Sequence, residues 1–324
     1  MEVMRYFSAF TGALGFELGL PKEWECVGVS EIDSYAVKLI RYRKGDVKNY
    51  GDIEKIKYEE LPDFEVLVGG SPCQDISVAG KRVGLSGVRS RLFFSYITIL
   101  KVKKPDYFIF ENVKGLLSSN GGWDFARVQI EFSEAGYDVW WQVLNATQFG
   151  IPQHRERVFI VGAFRGRKAS IRKVFFRGRT RKENIVIQKQ RTNTITRKYR
   201  ESRTGGSYII ESEFKAQETA PQPVADLKHK NPRRNGRLVK KPNEPSFTLQ
   251  VMERQGVLVN GRIRFLTPLE CERLMGWKDE WTRWGVNDKG RVVELSDNMR
   301  YKLIGNGVVP QIVSNIVENI IKWS

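Results

Sequence analysis

Cysteine and histidine are scarce in this 324-residue chain: Cys26, Cys73 and Cys271 are the only thiols, and His154 and His229 the only imidazoles. An odd, scattered set of cysteines argues against a disulfide framework. With no metal-ligand spacing among these residues, a zinc site lacks its soft donors. No metal is expected, and the thiols are expected to be free in a reducing cytoplasm. Acidic residues are also in deficit. Against 37 Asp and Glu stand 54 Lys and Arg, a formal net charge of +17 with a pI near 9.8, which points to a polyanionic partner. No apolar run approaches the roughly 20 residues of a membrane span, and Met1 to Arg5 leads into a strand rather than into the apolar core of a signal peptide. The expectation is a cytoplasmic monomer with no membrane partner.

What the chain does contain, from Arg5 to Phe164, is an alternation of short apolar runs with helical stretches, as repeated βα units require. The runs predict strands at 5–9, 26–30, 66–69, 107–111, 139–144 and 158–161, and the stretches between them predict helices at 34–43, 92–101 and 123–135. The fold class expected is α/β, a doubly wound and mostly parallel sheet. From Arg165 to Lys241 the periodicity fades and arginine and lysine crowd together. Strand-like runs at 208–210 and 247–251 predict that this insert folds as a smaller, irregular domain. After it, Thr267 is placed to cap a helix at 269–275. At the C-terminus Ile312, Val313, Ile316, Val317, Ile320 and Ile321 fall on one helical face that needs a core to cover it. Three units are expected, at 1–165, 166–262 and 263–324.

Cys73 stands in Gly69-Gly70-Ser71-Pro72-Cys73-Gln74, directly after an apolar run, at the mouth of a buried strand. A free cysteine is most often a small buried hydrophobe. However, ligands of open α/β sheets bind outside the carboxyl ends of the strands, and the run at 107–110 delivers Glu111 to that same edge. Phe10-Thr11-Gly12-Ala13-Leu14-Gly15 follows the first strand, so a glycine turn is expected to meet a helix N-terminus there and cradle a nucleotide-like ligand. Glu31 ends the second strand, at about the 20-residue separation of an acid that binds ribose hydroxyls. Asp52, further along, is placed to accept from an adenine amine.

Five segments then occur in order: Pro72-Cys73-Gln74, Glu111-Asn112-Val113, Gln153-His154-Arg155-Glu156-Arg157, Leu266-Thr267-Pro268-Leu269-Glu270 and Gly305-Asn306-Gly307-Val308. In that order and spacing the chain strongly resembles the DNA cytosine-5 methyltransferases, over nearly everything outside 165–241. The resemblance implies a Rossmann-like, class I S-adenosylmethionine-dependent fold with a catalytic and cofactor-binding domain, a target-recognition domain, and a C-terminal helix returning to the first. It implies Cys73 as nucleophile, Glu111 as acid, and Arg155 and Arg157 as base-binding arginines. It implies S-adenosyl-L-methionine contacts at Phe10, Gly12, Gly15, Glu31, Ile32, Asp52, Ile53, Pro72, Leu92, Asn306 and Val308, with S-adenosyl-L-homocysteine as product. Two positions depart from the family: Leu14 stands where glycine is usual, and Ile32 where a large aromatic often stacks on adenine.

For DNA the resemblance implies a mobile loop at 74–91 with Gln74, Ser77 and Arg89 as contacts. Thr248 lies in a segment similar to the end of the family's recognition region. Arg197, Arg233, Arg234, Arg237 and Arg254 are candidate base readers, because arginine bidentate to guanine is the commonest specific contact; the other basic residues of the insert are expected to grip phosphates. Double-stranded DNA is the expected partner. Its recognition sequence and any cognate endonuclease are not written in the chain. The short chain without regulatory extensions fits a restriction-modification or viral enzyme. Two alternatives stand beside this reading: a transfer-RNA cytosine methyltransferase on the same scaffold, although the Cys-Phe-Thr signature of that branch does not follow Glu111-Asn112-Val113, and a DNA-binding regulator without activity.

Overall fold

The computed structural model describes residues 3–72, 90–166, 222–224, 240–241, 244–249, 256–259 and 262–323. Six strands make the main sheet: β1 (Arg5–Ala9), β2 (Glu25–Ser30), β3 (Val66–Gly69), β4 (Tyr107–Val113), β5 (Tyr137–Asn145) and β6 (Glu156–Phe164), in the order β2-β1-β3-β4-β6-β5. The pairings β1 to β2, β1 to β3 and β3 to β4 are parallel, while β6 runs antiparallel to both β4 and β5. The strand order reverses about β1, which lies between β2 and β3. The chain therefore leaves β1 and β3 at a topological switch point, where such sheets open a crevice.

Period-2 alternation divides the strand residues between two cores. Tyr6, Val66, Val68, Ile109, Phe159 and Val161 face one side, and Phe7, Leu67, Phe108, Phe110, Val158 and Ile160 the other. Helix α1 (Ser34–Lys44) follows β2, capped by Asp33, and the second side is covered by α2 (Ser90–Lys103) and α3 (Trp123–Glu134), through Phe93, Tyr96, Ile97, Leu100, Val128 and Phe132. Phe108 stacks on Phe132 with ring centroids 4.3 Å apart. Gly162 lies beneath that stack, where a Cβ would come within 2.0 Å of the Phe108 ring.

The first side is covered by α6 (Pro310–Trp323), which buries Ile312, Val313, Ile316, Val317 and Ile320 against it. Each such burial is worth roughly 1.5–3 kcal/mol relative to exposure, which is why the C-terminal stripe returns to this sheet. Thr267 caps α4 (Pro268–Leu274) in a reciprocal box with Glu270. Beyond it come a short hairpin of β10 (Trp284–Val286) and β11 (Val292–Glu294), and α5 (Asp297–Gly305). A separate antiparallel ribbon joins β7 (Gln222–Val224), β8 (Gly256–Val259) and β9 (Arg262–Phe265).

Two expectations are corrected. The residues after β1 form a succession of turns over 12–19 rather than a regular helix, because Gly12 and Leu14 both take positive φ, at 55° and 65°, which no right-handed helix accommodates. The described part of the expected strand at 247–251, residues 247–249, is in no ladder; the residue before it, Ser246, makes an isolated bridge to Gln153. Residues 208–210 lie outside the described residues.

Candidate active site

Glu111 is the fifth residue of β4, on the face shared with Tyr107 and Ile109. In the antiparallel register Glu111 lies opposite Phe159, and Val113 opposite Arg157. Arg157 is therefore the diagonal neighbour of Glu111 on one face, within reach of a long side chain. Its Nε lies 3.0 Å from Glu111 Oε1, with the two side chains only 17% and 13% exposed. Burial raises the Glu111 pKa above the ordinary carboxylate value despite the opposing pull of Arg157 and Arg155. Gly70 gives the carboxyl its room, since a Cβ there would meet Glu111 O at 2.7 Å and Oε2 at 3.0 Å.

Arg155 has a different place. It is 2% exposed, and it donates from Nη1 to Leu249 O at 2.9 Å and from Nη2 to Gly305 O at 3.2 Å and Gly307 O at 2.7 Å. The resemblance implies base binding for both arginines; in the structure Arg157 pairs with the acid and these Arg155 donors meet main-chain carbonyls. Gln153, fully buried, works alongside it, donating to Leu274 O at 2.8 Å and accepting from Leu249 N at 3.2 Å. Thr248 donates its hydroxyl to His154 O.

A second cluster forms at the crevice beside β1. Glu31 Oε2 accepts from Gly12 N at 2.7 Å, and Oε1 from Ile32 N at 2.8 Å and Asp33 N at 2.7 Å. Burial still raises its pKa above the ordinary value. Asn49 braces the Glu31 backbone from both sides, accepting from its N at 3.1 Å and donating to its O at 3.0 Å. Gly15 packs so closely on the C-terminal loop that a Cβ would lie 2.8 Å from Val308 N. This brings 10–15 and 305–308 together. Trp277 donates to Val308 O at 2.9 Å and holds that loop from behind.

The other expected cofactor residues divide. Ile32 is 73% exposed, which leaves a large apolar side chain uncovered next to Glu31. Asn306 and Pro72 are exposed and Leu92 half-buried. Asp52 caps the turn Ile53–Lys55, accepting from Glu54 N at 3.1 Å. Ile53 points its side chain into the core at 3% exposure, which leaves only its main chain for a ligand.

Leu14 keeps the left-handed backbone expected of glycine and buries its side chain with Val29 and Ile40. Cys73, Gln74, Ser77, Arg89, Arg197, Arg233, Arg234, Arg237 and Arg254 lie outside the described residues. Burial pushes the Cys26 thiol up to about 11 and the Cys271 thiol to about 12, so both are protonated near neutral pH and poor nucleophiles. Among the described residues no group of His, Cys, Asp and Glu could hold a metal, and no helix is long and apolar enough to cross a membrane.

Sequence reasoning missed Asn49, Gly70, Gln153 and Trp277. Gly70 was legible only as part of a glycine pair, and Gln153 as part of its motif. Asn49 and Trp277 carry no local signal.

These positions can be set beside known proteins. The chain is 28% identical over 435 aligned residues to the orphan methyltransferase M.SPRI of Bacillus phage SPR, covering 99% of this chain and 98% of that protein. It is 38% identical over 181 residues to the type II methyltransferase M.NgoBV of Neisseria gonorrhoeae, covering 52% of this chain and 43% of the relative. Among solved structures, the Dnmt2 methyltransferase of S. pombe superposes with a TM-score of 0.66 over 98% of both chains at 19% identity. The family model for C-5 cytosine-specific DNA methylase matches residues 4–322. With that match spanning both clusters and all six strands of the sheet, the chain belongs to the C-5 cytosine-specific DNA methylases and is a DNA cytosine-5 methyltransferase.

Proposed function

We propose that this enzyme rotates a cytosine out of duplex DNA and methylates its C5 through a transient bond between Cys73 Sγ and C6. The observation that carries the reading is the half-buried pair of Glu111 and Arg157 at the carboxyl edge of the sheet. Cytosine C5 is a poor nucleophile until the ring is activated. Addition of the Cys73 thiolate at C6 leaves an enamine with electron density at C5, while a protonated Glu111 neutralises charge arriving at N3. The raised Glu111 pKa supports that protonation state. Arg157 holds the Glu111 carboxyl and would donate to the O2 edge of a base bound beside it. After methyl transfer a base takes the C5 proton, and Cys73 leaves as the C5–C6 double bond reforms. The inert surroundings of Cys26 and Cys271 favour Cys73 for the role.

S-adenosyl-L-methionine supplies an electrophilic methyl group on a sulfonium. The crevice beside β1 fits it: over Gly12 a Cβ would meet nothing nearer than Phe10 O at 3.9 Å, so the turn is open to a ligand. Glu31 would hold the ribose, Asp52 the adenine amine, and Ile32 would cover one adenine face. Phe10, Gly15, Pro72, Leu92, Asn306, Val308 and the main chain of Ile53 would line the remainder.

The target base is inaccessible in a stacked duplex, and extruding it costs a few kcal/mol. The net charge of +17 suits a phosphate grip that offsets this. Residues 166–262 are assigned to target recognition, with Gln74, Ser77, Arg89 and Thr248 as DNA contacts and Arg197, Arg233, Arg234, Arg237 and Arg254 as base readers. The catalytic domain at 1–165 and the segment 263–324 would then enclose the chemistry.

Purified protein is expected to transfer tritium from labelled cofactor to cytosine C5 of duplex DNA in preference to transfer RNA, and Cys73→Ser to reduce turnover at least 100-fold. Near-normal turnover by Cys73→Ser would remove the nucleophile.

A further inference from the structure

Arg155 joins three parts of the molecule that are far apart in sequence. Its guanidinium reaches Leu249 O, within the region assigned to recognition, and Gly305 O and Gly307 O, which flank Asn306 in the segment assigned to the cofactor. Two residues along the chain, Arg157 holds Glu111.

The neighbouring backbone repeats the connection. Ser246 N donates to Pro152 O at 2.8 Å and His154 N to Ser246 O at 2.8 Å. Gln153 then ties Leu249 N to Leu274 O at the end of α4. At 2% exposure Arg155 is shielded from solvent, and its donors named here meet main-chain oxygens of both stretches. A guanidinium keeps its charge at any working pH, so its attraction for these oxygens does not depend on pH.

We propose that Arg155, with Gln153, is a positioning relay that couples the cofactor loop at 305–308 to the recognition segment at 246–249, so that cofactor and DNA each tighten the binding of the other. The inference rests on the functional reading above. A ligand that orders either carbonyl stretch around this one side chain lowers the cost of ordering the second stretch. Linkage then requires that the effect be reciprocal.

The test is equilibrium dialysis of tritiated S-adenosyl-L-homocysteine, with and without a duplex oligonucleotide carrying the sequence context that the wild type methylates in bisulfite mapping. For the wild type, the duplex is expected to tighten binding by about fivefold or more. For Arg155→Lys that factor is expected to fall below about twofold. Arg157→Lys, expected to lose turnover, should keep the wild-type factor, which separates the relay from the chemistry. Should Arg155→Lys fail to fold, Gln153→Met, close in size, is expected to show the same loss.

On the wild type alone, adding S-adenosyl-L-homocysteine without DNA is expected to slow amide exchange in peptides containing Ser246 and Leu249. Unchanged exchange there, or wild-type coupling in both variants, would overturn the relay while methyl transfer by the wild type leaves the functional reading intact. A wild type that neither binds S-adenosyl-L-homocysteine nor methylates any DNA would sink both.

Discussion

Single residues decide this site by their size as much as by their chemistry. Gly70 is the sharpest case, because a methyl group there would press on the main chain and carboxyl of Glu111. Gly70→Ala is expected to lower kcat at least 100-fold, a loss that misplacement by about 1 Å produces, with KM for the cofactor little changed; unchanged kcat would show that Glu111 has slack. Leu14 poses the opposite balance. Its positive φ costs roughly 1–2 kcal/mol, yet its fully buried side chain is worth more, since truncations of buried leucine typically cost about 2–5 kcal/mol. Leu14→Gly is therefore expected to destabilise the protein by about 1–3 kcal/mol in urea unfolding, although glycine is the family's usual residue. The sequence made Cys73, Glu111 and the two arginines visible as a set. It did not separate Arg155 from Arg157, because two arginines of one alternation differ only in which carbonyls and carboxylates the distant chain brings to them.

At the scale of elements, legibility followed burial. Strands β1 and β3 match their apolar runs residue for residue, being covered on both faces, while β5 and β6 extend past theirs because a ladder partner continues. Other elements were not predicted at all, the short ones above all. The hairpin of β10 and β11 is three residues a side, and α5 buries Arg300 among its few inward residues. That arginine explains how so polar a helix is held: Arg300 Nη2 lies 3.1 Å from Glu272 Oε1, which also accepts from Thr282 N at 2.8 Å, all within a buried cluster. The pair fastens α5 to α4, and α5 ends at the Gly305 that Arg155 holds. Removing one partner strands a buried charge, so Arg300→Met is expected to cost about 3–5 kcal/mol, measured by urea denaturation. A loss below about 1 kcal/mol, the worth of an exposed pair, would show that the cluster is solvated.

For the whole molecule, charge and pH are the accessible levers. Glu17 has no well-formed hydrogen bond at either carboxyl oxygen among the described residues, and burial, only partly offset by Ser8 and Lys44, raises its pKa. Because the folded state favours the protonated form, its contribution to stability is complete below the unfolded carboxylate pKa and is lost as pH rises through the folded value. Glu17→Gln is expected to melt higher than the wild type at neutral pH, with the difference shrinking on acidification towards about pH 4.5. A difference that does not vary with pH would place the gain elsewhere. The overall excess of positive charge carries a different expectation: affinity for duplex DNA should fall linearly in log–log form with salt, with a slope that counts the phosphates neutralised. The doubly wound sheet and the returning C-terminal helix were both readable from the chain, since each follows from apolar periodicity that must be covered.

The proposed covalent step is tested most directly with duplex DNA in which the target cytosine carries fluorine at C5, incubated with enzyme and S-adenosyl-L-methionine and then denatured. The fluorine blocks release after methyl transfer, so a stable protein–DNA adduct is expected, mapping by mass spectrometry to the peptide containing Cys73. Methylation of ordinary DNA by the same preparation, with no adduct or with one at another residue, would contradict the mechanism.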